Sequence, residues 1–174
     1  MIGFLRDGEA VTARFTPEER AVLIALAGQL IEMLEERAAE SPADVLYAQL
    51  GIGGASAPPL DPALARLLPD AYRGDEEAAS EHRRFTELGL VERKAANARA
   101  VILALESTAL DSYEVRLDAA TVQSWLRHLT DLRLVIAARL QIEEDGDEGT
   151  GDDAMLDLYD WLGWQQESLV GCLP

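Results

Sequence analysis

Apolar side chains recurring at three- and four-residue spacing along two long stretches commit this chain to packed amphipathic helices. In the first stretch Leu23, Leu26, Ala27, Leu30, Met33 and Leu34 form a stripe, and Glu32, Glu35, Glu36 and Arg37 are placed on the wet side. In the second, Val122, Trp125, Leu126, Leu129, Leu132, Ile136 and Leu140 make one broad face behind Asp118, a residue suited to cap a helix start. The first helix is the better marked. Thr16-Pro17-Glu18-Glu19 has a capping-box residue at each end and a proline at the first helical position, so a helix is predicted to begin there and to end near Ala39.

The segments between these helices follow the same logic. Ile2 to Leu5 and Val11 to Phe15 flank Asp7-Gly8, and Val11, Ala13 and Phe15 alternate with polar residues, which predicts a hairpin. Ser41-Pro42 is expected to cap a short helix through Leu50, and GIGGASAPPLDP (51–62) has too many glycines and prolines to be other than a loop. That loop is not taken as a domain boundary, because roughly fifty residues before it is close to the lower limit for a self-sufficient core. Asp61-Pro62 should start another short helix, and a long helical region is predicted from Asp75 to about Glu106, with Gly89 as a candidate kink. Tyr113 to Leu117 alternates with period two, as a half-buried strand does, and is expected to pair with the hairpin. EEDGDEGTGDD (143–153) is predicted to be a flexible acidic loop, and Met155, Leu158, Tyr159, Leu162 and Leu169 mark a last amphipathic helix. The expected fold is therefore mainly α: one helical domain over residues 1–174 with a small antiparallel β element, made of the N-terminal hairpin and the strand near 113–117.

Charge and cysteine content narrow the function. The 174 residues carry a formal net charge of -17, placed unevenly. From Glu143 to Glu167 there are ten acids and no base, whereas from His82 to Arg139 nine basic residues face seven acids. The anion-facing surface, if there is one, lies in that middle region, with Arg83, Arg84, Arg93 and Lys94 as candidate nucleic-acid contacts. The simpler expectation is that these cations pair with the chain's own carboxylates. Autonomous DNA binding is disfavoured, because phosphate contacts supply most non-specific affinity and the net charge opposes approach to a polyanion. One cysteine, Cys172, permits neither an intrachain disulfide nor a cysteine-based zinc site. No stretch of 18 apolar residues and no signal-peptide pattern occurs, so no membrane association and a cytoplasmic location are expected.

Catalytic signals are weak. His82 and His128 are the only histidines, and neither has a metal-ligand spacing or a nucleophile motif beside it, so both are expected at the surface or its boundary. The acidic loop lacks the glycine and the closing glutamate of a calcium loop, and GIGG (51–54) lacks the lysine of a phosphate loop. Nothing here calls for a cofactor or a metal, and the expectation is a non-enzyme. Trp125, Trp161 and Trp164 stand at helical spacing beside leucines, which points to core or interface. Trp161 and Trp164, flanked by Asp157 and Asp160, are the predicted partner-interface pair, and a homodimer could use the same face. Cys172 is the candidate redox residue, but its acidic neighbours would raise its pKa and an inert small hydrophobe is the favoured reading. Arg133 has its stem along the apolar face of its helix, so it is expected to be partly buried and paired with a carboxylate.

Three stretches then point to a family. LPDAYRGDEEAASEHRRFTE (68–87), SWLRHLTDLRLVIAARLQI (124–142) and YDWLGWQQESLV (159–170) resemble, in order and spacing, the actinobacterial family that includes oxidative-stress transcriptional regulators. The resemblance covers most of the chain. It implies a cytoplasmic regulator that acts with the transcription machinery through a sigma factor and is linked to cysteine metabolism and the peroxide response. A regulator that works by an intrachain disulfide needs two cysteines, and this chain has one. The expected function is transcription-linked regulation of the oxidative-stress response through protein–protein contacts. The alternatives are a DNA-binding regulator whose arginines between 83 and 139 are shielded by the acidic segment 143–160, and a small enzyme whose site the sequence hides.

Overall fold

The computed structural model describes residues 2–40, 53–72, 74–108, 113–144 and 146–173. The hairpin forms as expected: β1 (Ile2–Asp7) and β2 (Ala10–Arg14) pair antiparallel, and Gly8 in the turn takes a positive φ of 64°, which glycine adopts without steric cost. After α1 (Pro17–Ala39), a short α2 (Pro62–Leu67) and a long α3 (Glu76–Glu106), the chain returns as β3 (Glu114–Leu117). β3 lies antiparallel to β2 with Val11 opposite Leu117 and Ala13 opposite Val115, completing a sheet of order β1-β2-β3. Helices α4 (Ala119–Arg139) and α5 (Asp153–Val170) finish the fold. The short helix predicted between Ser41 and Leu50 lies outside the described residues.

Local chemistry explains the boundaries. Thr16 accepts from the Glu19 backbone N–H, the Glu19 carboxylate accepts from that of Thr16, and Pro17 occupies the first turn, so the predicted capping box is present. Asp61, Asp75, Asp118 and Asp152 cap the other four helices in the same manner, each carboxylate accepting a backbone N–H of the first turn. Helix α3 runs unbroken through Gly89.

The helices assemble around α4. Helix α3 packs against α1 on one side and α4 on the other, α2 rests on α4, and α5 joins α4 to the edge strand β1. The sheet closes one end of this stack. Phe4 and Phe15 from the sheet meet Trp125 of α4, with Phe15 stacked on the indole at 5.7 Å and Phe4 edge-on to it at 5.4 Å. Trp125 is fully buried, and Leu23, Leu34, Leu105, Leu129, Leu162 and Leu169 continue the core through every long helix. Most stabilisation of such a fold comes from the burial of these apolar faces, at about 25 cal/mol per Å² removed from water.

Two buried polar residues, Arg37 and His128, depart from the sequence expectation. Arg37, placed on the wet side of α1, is buried, because it meets Glu87 of α3. Its Nε donates to Glu87 Oε1 at 2.8 Å and its Nη2 to the Ala57 carbonyl at 2.6 Å. Arg83 approaches the same carboxylate at 3.9 Å and also binds Asp70 and the Ser56 carbonyl. This charged cluster fastens the segment around residues 54–57 between α1 and α3. Gly54 is required there, since a Cβ would stand 2.9 Å from the Arg83 carbonyl oxygen. The other departure is His128, expected near the surface. It sits on the inner face of α4 with no solvent exposure.

Candidate interaction surface

Helix α5 buries one face in the core, and the predicted tryptophan pair, three residues apart, stands beside it with unequal exposure. Leu162 and Leu169 face inward and are fully buried, and Trp161 is half-buried against the same core. Trp164, one turn on, has 39% of its surface exposed, its ring passing over Gly3 of β1, and Val170 is 51% exposed farther along. Of the two predicted interface residues, Trp164 is thus the one presented to solvent. Together with Tyr159, Asp160, Gln166 and Arg133 they line an open groove of about 560 Å³ between α4 and α5.

Arg133 forms the floor of this groove without the carboxylate partner expected for it. Its Nη1 donates to Gln166 Oε1 at 2.9 Å, its Nη2 to the Tyr159 hydroxyl at 3.3 Å, and the guanidinium lies 4.9 Å from the Tyr159 ring centre. Its Nε is buried with no hydrogen-bond partner among the described residues. The guanidinium lies along α5 beside Gly163, where a Cβ would make ordinary contact with it at 3.5 Å. The groove thus sets an aromatic ring, an amide and a cation beside Trp164 and Val170, residue types that protein interfaces use as anchors, with Asp160 and Glu167 as its acidic lining.

The four candidate nucleic-acid contacts do not converge. Arg83 is buried in the cluster with Asp70 and Glu87, so its donors are turned inward, and Lys94 pairs with Asp131. Arg84 and Arg93 are exposed. Other arginines of the middle region also find internal carboxylates: Arg99 with Glu35, Arg116 with Asp7, and Arg139 with Asp61 through two bonds of 2.7 Å. The Arg139 guanidinium holds the Asp61 carboxyl below the usual range. The described part of the acidic loop folds on itself, Asp147 accepting from the backbone N–H groups of Glu143 and Glu144 at 2.9 and 3.0 Å. Among the described residues no carboxylate of segment 143–160 forms an ion pair with the arginines between 83 and 139.

Cys172 is buried at 8% exposure, and its thiol donates to the Ser168 carbonyl at 3.4 Å. Burial, not the acidic neighbours invoked from sequence, raises its pKa, while Arg6 acts in the opposite direction. A buried thiol that favours its neutral form is a poor nucleophile. His128 is pushed down to about 4 by burial alone, and neither of its ring nitrogens has a hydrogen-bond partner among the described residues. Asp131, one turn on, is raised by its own burial against the opposing effect of Lys94. Among the described residues no group of three His, Cys, Asp or Glu side chains could hold a metal ion, and no helix is long and apolar enough to cross a membrane.

Comparison with known proteins fits the surface into a lineage. The chain is 31% identical over 183 residues to the oxidative stress regulator AosR of Mycobacterium tuberculosis (strain ATCC 25618 / H37Rv), covering 95% of this chain and 83% of that protein. The protein of the same name from Mycobacterium bovis matches to the same extent. The putative oxidative stress regulator AosR of Mycobacterium leprae is 32% identical over 182 residues, covering 94% of this chain and 82% of that protein. No solved structure matches the chain. A family described as Domain of unknown function (DUF2017) matches residues 1–173, and with relatives this similar along nearly the whole length, the chain belongs to that family.

Proposed function

We propose that this protein is a regulator of the oxidative-stress response that works in the cytoplasm through protein–protein contacts with the transcription machinery, with a sigma factor as its partner. The observation that carries the reading is similarity along 95% of the chain to proteins named oxidative stress regulators. The groove around Trp164, Val170 and Arg133 supports contact with a protein: it combines an exposed indole, an exposed aliphatic side chain and a cation that forms no ion pair among the described residues, with Asp160 and Glu167 in its lining. Direct DNA binding has less support, because Arg83 and Lys94 are committed to internal carboxylates and the chain carries a net charge of -17. Nor does the buried Cys172 favour sensing of oxidants by this chain itself, so the signal is expected to arrive through the partner.

The test is genetic. Cells lacking the gene should mount an altered transcriptional response to peroxide. The wild-type gene should restore that response, and a Trp164→Ala, Val170→Glu version expressed at the same level should not. An unaltered peroxide response in the deletion strain would reject the regulatory role. Full complementation by the double variant would keep the role and remove the groove from it.

A further inference from the structure

A second groove, of about 630 Å³, runs between α3 and α4 and is lined by Leu90, Arg93, Lys94 and Ala96 on one side and by Arg127 and Asp131 on the other. Its charge balance is unlike that of the rest of the molecule. Three cations face one carboxylate, and Lys94 already neutralises Asp131. Arg93 and Arg127 are exposed, and among the described residues neither forms a hydrogen bond or an ion pair. In a chain with 32 acidic residues, two guanidiniums brought by facing helices into one groove whose lining carboxylate is already paired with Lys94 leave an unfilled demand for anions.

We propose that the α3–α4 groove binds a short acidic segment of another protein, whose carboxylates pair with Arg93 and Arg127 while an apolar side chain rests on Leu90 and Ala96. The aliphatic floor favours an organic ligand over inorganic phosphate, which would leave Leu90 unpaired with anything apolar. The overall charge favours a short segment over duplex DNA. Beyond a Debye length of about 8 Å the surface acids are screened from a local contact, but an extended polyanion would have to lie along them. A guanidinium meets a carboxylate through two parallel bonds, so each arginine also contributes orientation. This surface stands whatever the partner at Trp164 proves to be, and its test reads binding alone.

The probe is a fluorescein-labelled synthetic peptide of repeating Glu-Glu-Leu, titrated with the full-length chain at low ionic strength and followed by fluorescence anisotropy. Binding should be saturable, should weaken by about tenfold in the Arg93→Ala, Arg127→Ala double variant, and should fall with added salt. Arg84→Ala, which removes an exposed arginine of α3 outside the groove, should leave it unchanged. Both arginines are exposed, so circular dichroism should show the double variant folded. No binding by the wild type at millimolar protein would overturn the proposal, as would an equal loss with Arg84→Ala. Stronger binding of duplex DNA, or displacement of the peptide by inorganic phosphate at equal charge concentration, would overturn it in favour of another anion.

Discussion

Acidification from neutral pH to about pH 4 should destabilise this fold chiefly through His128. His128 has no solvent exposure, and burial holds its pKa at about 4 against an ordinary value of 6.5. Because the folded state favours neutral imidazole, the unfolded chain binds the extra proton first as pH falls. The stability contributed by His128 is therefore fully present above about pH 6.5 and is lost progressively down to about pH 4. A shift of this size corresponds to about 3 kcal/mol, a large part of the roughly 5–15 kcal/mol by which a domain of ordinary stability exceeds its unfolded state. Asp131 acts in the opposite direction, since its raised pKa lets the folded state take up a proton before the unfolded one does. Comparing the wild type with His128→Leu cancels that contribution. Urea unfolding followed by tryptophan fluorescence, repeated between about pH 4 and pH 7.5, should show a steep loss of stability in the wild type and a much flatter profile in the variant. At neutral pH the variant should also be more stable by about 1–3 kcal/mol, having removed buried nitrogens that lack hydrogen-bond partners. Parallel pH profiles for the two proteins would refute the reasoning.

Three further outcomes are expected. Glu87→Ala should cost about 1.5–3 kcal/mol by removing the buried partner of Arg37, whose guanidinium keeps Glu40 and the Ala57 carbonyl, and a loss below about 1 kcal/mol would show the pair to be solvated. Arg133→Ala should cost only about 1–2 kcal/mol, because its partners are the neutral Gln166 and Tyr159, and a loss above about 3 kcal/mol in thermal or urea unfolding would reveal a hidden counter-charge. Mild peroxide should leave Cys172 reduced and the protein monomeric with respect to disulfides on non-reducing electrophoresis, with Cys172→Ser as control. A rapid dimer that depends on Cys172 would make the C-terminus a sensor.

What could be foreseen from the residues was what is decided locally. The capping box at Thr16, the Asp118 cap, the alternation from Tyr113 to Leu117 and the turn at Gly8 depend on neighbours a few positions away, and the helices and strands they predict are present. The departures arise where a distant residue decides. Arg37 looks solvated from its own helix and is buried because Glu87 comes to it from fifty positions away. His128 carries no pattern that distinguishes a core histidine from a surface one, since its burial depends on how α4 is covered on every side. Arg133 was legible as a half-buried side chain, but its partners are 26 and 33 positions downstream, and nothing in its own helix distinguishes a carboxylate from an amide there. The site divides in the same way. Trp164 could be named from composition, whereas the meeting of Arg93 with Arg127 is a product of helix packing and has no sequence signature.

Action through the transcription machinery requires a physical complex with it. Purified protein titrated against RNA polymerase from its own organism, as core enzyme and as holoenzyme with each sigma subunit in turn, measures that directly. A saturable complex with a sigma factor or a holoenzyme is predicted, weakened about tenfold by Trp164→Ala with Val170→Glu in a folded variant. Absence of any complex with sigma subunits, core enzyme or holoenzyme, under both reducing and oxidising conditions, would contradict it.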